Sequence, residues 1–379
     1  MYSTNQKAAQ LATRLAFLVA GFGIACWAPL IPFAKERLTI GDDVLGMLIL
    51  CIGVGSVAAM VVTAWFSARF GSKPVIVAGA LGLTFTLPLL AVAPTQLTLG
   101  LALLVFGGSL GSLDVAMNVH AVEVERTAGR PMMAGFHALF SVGGFLGASL
   151  MTSLLSMQLG TWPSTIVCAF LMLAATLMTW PRLMQAAQAK GGPMFVMPHG
   201  VVVVLAALAA ITFLVEGAIL DWSALLLVDG GKVGAAHGGV GYMLFSVAMT
   251  AGRFGGDAVS SQIGDRATLL WGGLIAIVGF AVLLLASVTA IAVSGFLLIG
   301  LGASNLVPVI FRRAGSQLLF PAELAIAAIT MTGYVGILLG PAAIGFVSKV
   351  VGLPVAFWLL TALLCLVPLC AHCVTKDGP

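Results

Sequence analysis

The sequence predicts an all-α membrane protein with twelve transmembrane helices. Three observations carry this. Mean hydropathy is +1.14. Charged residues make up 8% and hydrophobic residues 60% of a 379-residue chain. The apolar residues also fall into runs of about 20, each long enough to cross a hydrocarbon core roughly 30 Å thick as a helix. That balance excludes a soluble chain of two or three domains. Strand-like alternation is absent from the runs, which excludes a membrane barrel.

The polar stretch Met1 to Gln10 precedes the first run, Leu11 to Ala34. This run reaches spanning length without a small-residue cleavage site, so it reads as a retained anchor rather than a leader. Spans two to six follow as Val44 to Phe66, Pro74 to Ala93, Leu97 to Val122, Met132 to Leu159 and Trp162 to Trp180. The longest polar break, Arg182 to His199, holds Gln185, Gln188, Lys190, Gly191, Gly192, Pro193 and Pro198. Spans seven to twelve are Val201 to Val228, Gly239 to Ser261, Ala267 to Val288, Ile291 to Phe311, Ala322 to Val347 and Pro354 to Val374. The break divides the chain into two six-helix bundles, residues 1–183 and 199–379, joined by a linker over 184–198.

Basic residues are retained on the cytoplasmic side of short loops. With the N-terminus inside, the cytoplasmic segments hold Lys7, Arg14, Arg69, Lys73, Arg126, Arg130, Arg182, Lys190, Arg266, Arg312, Arg313 and Lys376. The opposite side holds Lys35, Arg37, Lys232 and Lys349. Both termini are therefore expected in the cytoplasm, and the formal charge of +4 reflects this asymmetry rather than affinity for nucleic acid. The six cysteines are dispersed and lack the spacing of a disulfide framework. Cys370, His372 and Cys373 cluster at the last helix end without a fourth ligand, so no metal site and no cofactor are expected.

An internal repeat appears at an offset of 193 residues. The segment Ala64 to Lys73, ending span two, aligns with Asp257 to Arg266, ending span eight, on a shared glycine and a following basic residue. Gly143-x-x-x-Gly147 aligns with Gly336-x-x-x-Gly340, and Asp114 falls near Asn305 at a close offset. Two six-helix halves with a Gly-x-x-x-Asp-Arg-x-Gly-type loop after spans two and eight resemble the major facilitator superfamily over essentially the whole chain. Ala68 and Ser261 stand where that loop pattern has acids. Phe136 to Gly144 and Glu216 to Ser223 resemble more narrowly a bacterial inner-membrane branch called YbjJ-like, distantly similar to fucose permease; Gly252 to Asp257 and Thr332 to Tyr334 agree.

Asp114 and Glu216 stand out because a carboxylate near the bilayer centre costs roughly 2.5–3.5 kcal/mol on insertion scales, and such residues usually face a cavity or an ion path. The resemblance implies that spans one, four, seven and ten line a central cavity, and polar residues concentrate there. Gly111, Asp114 and Asn118 share one face of span four, and Thr212, Glu216 and Ser223 one face of span seven. At about 1.5 Å per residue, Asp114 lies roughly 25 Å from the outer end of its span. Low dielectric disfavours the charged form of a carboxylate, so such a group can exchange protons between the two sides. Asp114 and Glu216, one from each half, are the expected proton-coupling and substrate-orienting acids. A neutral acid hydrogen-bonded to a neighbouring helix is the structural alternative.

Asn118 and Asn305 suit a hydroxylated ligand or an interhelical hydrogen bond. His137 can relay protons, and Trp27, Thr212 and Tyr334 complete the candidate cavity set. Arg253 and Asp257, four apart on span eight, can pair along one face. With Arg69, Lys73, Asp265 and Arg266 they form, by resemblance, the cytoplasmic contacts that hold the halves together, although the topology rule already accounts for Arg69, Lys73 and Arg266.

The reading that follows is a monomeric secondary transporter of the bacterial inner membrane. It would move a small polar solute, sugar-like, by alternating access, with protons as the coupling ion and membrane lipid as its surroundings. A proton-antiporting drug or metabolite exporter is the nearest alternative, and span five lacks the Gly-Pro pair such exporters usually carry. A membrane-embedded enzyme would need a compact catalytic constellation, and a transporter-like sensor would need a signalling domain. A nucleotide-binding phosphate loop is absent from the sequence, which disfavours ATP-driven transport.

Overall fold

The protein is described by a computed structural model covering residues 2–128, 132–184, 200–315 and 322–375, and every regular element among these residues is helical. Span one consists of α1 (Tyr2–Trp27), a 3-10 turn (Ala28–Leu30) and α2 (Ile31–Leu38). Pro29 and Pro32 cause the break, because a proline has no N–H to give to the preceding turn. Spans two to seven are α3 (Asp42–Phe70), α4 (Ser72–Val92), α5 (Gln96–Ala128), α6 (Met133–Ser156), α7 (Thr161–Thr179) and α8 (Val201–Asp229).

Spans eight and nine form one element, α9 (Val240–Leu285), interrupted at Gly264, whose φ of 81° and ψ of 162° are not helical. Span ten is α10 (Thr289–Ala303) with α11 (Leu306–Gly315), broken where Pro308 leaves the Ser304 carbonyl without a donor. Span eleven is α12 (Ala322–Val351), and span twelve is α13 (Leu353–Leu364) with α14 (Leu366–Thr375), broken at Pro368. Ten described stretches are long and apolar enough to cross a membrane. Span eight, fused to span nine, and span eleven complete the twelve. Several helices outrun their apolar segments, as α1 does by taking up most of the polar N-terminal stretch. Once nucleated by a spanning core, a helix continues at little cost through residues outside the hydrocarbon. Residues 185–199, which take in all of the expected 184–198 linker but its first residue, lie outside the described residues.

The repeat is visible in backbone and packing. Gly71 (φ 81°) joins spans two and three as Gly264 joins eight and nine, and Gly160 (φ 87°) joins five and six as Gly352 (φ 84°) joins eleven and twelve. An L side chain is strained at such angles, which accounts for glycine at all four junctions. Gly143 and Gly147 of α6 press on the backbone of Leu18 and Phe22 in α1, while Gly336 and Gly340 of α12 press on Ala210 and Leu214 in α8. Gly107 packs on Ile52 as Gly300 packs on Phe245, and Gly79 on Leu113 as Gly272 on Leu306. Small residues at these crossings let helices approach without a hydrophobic driving force in lipid. The common offset is 193 residues, or one fewer, and at 193 the counterpart of Asp114 is Val307, not Asn305. Asp114 is thus an acid of one half alone.

The face carrying the loops after odd-numbered spans is termed distal, and the face carrying the termini proximal. The two halves meet along α3 against α12 and α6 against α9. Near the distal ends, Gly46 fits against Pro341 and Gly345, and its repeat partner Gly239 fits against Thr152 and Pro29. Lys35 Nζ lies 2.8 Å from Asp42 and 2.6 Å from Asp229 of the other half. Lys349 Nζ lies 2.7 Å from Asp43, and Ser348 donates to Asp42, both across the halves.

The remaining distal cations cap helix ends. Arg37 donates to the Leu90, Ala91 and Ala93 carbonyls at the end of α4. Lys232 donates to Ala286 (2.7 Å) and Ser287 (3.2 Å) at the end of α9. Cations are favoured at these C-terminal carbonyls. All four basic residues on the side where topology disfavours them therefore have structural partners. Lipid-facing positions carry exposed apolar side chains such as Phe85, Phe170 and Leu369.

Candidate functional site

A cavity of about 220 Å³ lies between the halves, walled by Ile24 of α1, Ile52, Ser56 and Met60 of α3, Asp114 of α5, Phe140 of α6, Leu220 and Asp221 of α8, and Ile337 and Pro341 of α12. Its surface is mostly apolar, with Ser56, Asp114 and Asp221 supplying side-chain polarity. Ser56 is turned toward α5, donating to the Gly107 carbonyl at 2.8 Å.

Asp114 and Asn118, one helical turn apart, interact locally. The Asn118 amide donates to the Asp114 carbonyl (2.9 Å) and to its carboxylate (3.2 Å). Asn118 thus orients Asp114 and spends its donors within α5.

Glu216 of α8 sits beside the cavity rather than on its wall. Arg253 of α9 reaches it at 3.4 Å and also donates to Ser141 of α6 at 3.2 Å. One guanidinium therefore ties span seven to span eight and, through Ser141, to the other half. The second Glu216 oxygen, Oε1, is buried without a partner among the described residues. Tyr242 of α9 lies near Glu216, Asp221 and Arg253.

Asp221 falls within the Glu216 to Ser223 segment but is not among the cavity, coupling or gating residues expected from the sequence. Residue counting puts it near the outer end of span seven. The closed distal interface covers that end, and Asp221 is 6% exposed on the cavity wall. Among the described residues no hydrogen bond or ion pair reaches its carboxylate. The available signal was a second acid in the same apolar run.

The other candidates are dispersed. Trp27 is fully buried in the core, its indole N–H without a partner among the described residues. Thr212 is buried and donates back to the Leu208 carbonyl at 2.8 Å. His137 packs edge-on against Phe17 with ring centroids 5.1 Å apart. Asn305 stands at the break in span ten and donates to the Gly252 carbonyl of span eight at 3.1 Å, an interhelical bond within one half. Asp265 pairs with Arg312 at 2.7 Å, also within one half. Lys73 is partly exposed and Arg266 exposed. The side chains of Tyr334, Arg69 and Asp257 lie outside the described residues, so the pairing expected of Arg253 with Asp257 falls there too.

His120 is a structural residue that the sequence reading passed over. It is fully buried, with Nδ1 3.0 Å from the Thr13 hydroxyl and Nε2 accepting the Met184 N–H at 3.0 Å. A backbone donor at Nε2 requires the proton on Nδ1. The imidazole thereby joins α1, α5 and the start of the inter-half linker.

A sequence profile described as Major Facilitator Superfamily matches residues 14–323. An uncharacterized MFS-type transporter of Yersinia pestis is 44% identical over 368 residues, covering 97% of this chain and 96% of the relative. Membrane protein MosC of Rhizobium meliloti is 30% identical over 351 residues, covering 92% and 86%. Among solved structures, a bacterial homologue of the human lysosomal transporter Spinster, inward-facing and unoccupied, superposes with a TM-score of 0.76 at 11% identity, covering 98% and 97%. The nucleoside transporter NupG superposes with a TM-score of 0.73 at 12% identity, covering 99% and 100%. At such identities these two likenesses establish the fold alone.

Proposed function

The chain belongs to the Major Facilitator Superfamily, a family of transporters rather than enzymes, and from that premise we propose that it moves a small solute across the bacterial inner membrane by proton-coupled alternating access. The observation that carries the coupling is the junction of Glu216, Arg253 and Ser141, which joins two helices of one half to a helix of the other. A proton on Glu216 weakens its hold on Arg253, and Arg253 in turn contacts the opposite half. Protonation is thereby linked to the relation between the halves, as coupling by alternating access requires. Asp114, on the cavity wall, is the acid that meets the solute.

Residues 1–183 and 199–379 act as the two rocking bodies of a monomer, with 184–198 as their linker. The proximal face, where most basic residues lie, is the cytoplasmic one, so the closed distal face is the outer one and both termini are inside. The Phe136 to Gly144 and Glu216 to Ser223 segments support placement in the YbjJ-like branch, distantly similar to fucose permease. A second reading, export of an apolar drug or metabolite by proton antiport, is favoured by the apolar cavity wall.

Proteoliposomes with an imposed pH gradient, screened with sugars, amines, amino acids and lipophilic compounds, test the proposal. Uptake or efflux should follow the gradient and fall to the gradient-free rate in Asp114→Asn and Glu216→Gln. Gradient-driven movement of the solute that is unchanged in the double variant would overturn it.

A further inference from the structure

We infer that Asp221 is a second solute-binding carboxylate and that, facing one cavity with Asp114, it fits the site to a small solute bearing a cationic amine on an apolar body. The inference rests on the transporter reading and deepens it.

The three acids near the cavity differ in how their charge is balanced. Glu216 has Arg253. Asp114 has the Asn118 amide. Asp221 is 94% buried by the complement of its 6% exposure, lines the cavity, and has no hydrogen-bonding or ionic partner among the described residues. The ionisable groups around it do not fill that role. Asp114 across the cavity and Glu216 on its own helix are acids, Tyr242 is a phenol, and Arg253 is held by Glu216 and Ser141. Lys35 of α2 is occupied by Asp42 and Asp229, and Lys349 of α12 by Asp43.

An ionised carboxylate in an apolar wall is costly unless a cation accompanies it. In the empty site a proton can fill that role; in the loaded site the solute's ammonium group replaces the proton, which leaves to water. The remaining wall, including Ile24, Ile52, Phe140, Leu220 and Ile337, offers contact to an apolar body and few hydrogen bonds to a polyhydroxylated one. A volume of about 220 Å³ is below the roughly 300–1,000 Å³ of drug-sized ligand pockets, which limits the solute to a small one. A charged group matched in a low-dielectric pocket discriminates strongly against a neutral isostere.

The test is calorimetric titration of the purified full-length protein with benzylammonium and with its neutral isostere, benzyl alcohol, in two buffers of different ionisation enthalpy. Benzylammonium should bind at least about tenfold more tightly than benzyl alcohol, and its binding should release protons. Asp221→Asn should abolish both the preference and the release, Asp221→Glu should keep them, and Glu36→Gln, on the exposed end of α2, should leave both unchanged. Equal binding of the two probes, no binding of either in the millimolar range, or a preference that survives Asp221→Asn overturns the inference.

If Asp221→Asn does not fold, the wild-type protein decides. A hydrophobic carbodiimide should form an adduct at Asp221, located by mass spectrometry, and benzylammonium should block it. An adduct formed equally with and without benzylammonium, or none at Asp221, overturns the inference. These measurements read neither flux nor gradient, so they fail or succeed independently of the transport assay.

Discussion

Replacing Lys35 by Gln should shift the protein toward states with an open distal face. Lys35 lies 2.6 Å from Asp229 of the other half and 2.8 Å from Asp42 of its own half. Only the contact with Asp229 is broken when the distal ends separate, so it alone sets the size of the effect. The Lys35 and Asp229 side chains are 22% and 44% exposed. Solvent screening therefore puts the pair in the range of about 0.2–1 kcal/mol, a change of about 1.4- to 5-fold in the open-to-closed ratio. The bond from Lys349 to Asp43 also crosses the halves, with Lys349 61% exposed, and contributes at the low end of that range. The double variant Lys35→Gln, Lys349→Gln should reach about 2- to 7-fold. Spin labels at Thr95 and Ser287, exposed on distal loops of opposite halves, read the ratio by double electron–electron resonance. The long-distance population should grow in that order and approach the variants' level in wild type at about 1 M salt, where the Debye length is roughly 3 Å. Unchanged distances in the double variant, or an equal shift in Glu36→Gln, would refute the assignment of these pairs as a distal lock.

Glu216→Gln and Arg253→Gln should each lower thermal stability, while the double variant loses less than their sum. The coupling energy should be about 0.5–2 kcal/mol, measured by a double-mutant cycle in detergent. His120→Phe leaves the Met184 N–H without its acceptor and should cost about 1–3 kcal/mol, read as a lowered melting temperature. Gly147→Ala drives a methyl group into the Phe22 backbone and should cost about 1–3 kcal/mol. Gly217→Ala meets open space and should be neutral or stabilising by up to about 1 kcal/mol.

The fold was legible because membrane insertion imposes a coarse rule on sequence: spanning length, low charge and loop polarity are local properties. The repeat was legible for a related reason. Gly71 and Gly264 must both adopt positive φ, so the same residue recurs at the same offset. Pairings between helices follow no such rule. Asp42 and Ser348 are 306 residues apart, and nothing in either neighbourhood marks the other. Arg253 has an acid four residues on, which makes an in-helix pair the natural expectation, yet its described partners lie on α8 and α6. The four basic residues on the distal side read as exceptions to a topology rule until the carbonyls and carboxylates they bind are seen.

Burial within a span is likewise not a matter of depth along the helix alone. Asp221 lies two turns from the end of α8, where residue counting predicts contact with the aqueous phase. It is buried because the two halves close over that end through Gly46 against Gly345, Gly239 against Thr152, and the Lys35 and Lys349 bridges. On the proposed reading, opening the distal face would break those contacts and give water access to Asp221, while the Glu216–Arg253 pair, which lies within one half, would persist. The two acids of span seven then answer to different events: Asp221 to the opening of the distal face, and Glu216, through Arg253 and Ser141, to protonation at the contact between the halves. Coupling on that reading needs both, since exposure of an acid without a change in its charge moves no proton, and a change in charge without a change in exposure gives the proton no direction.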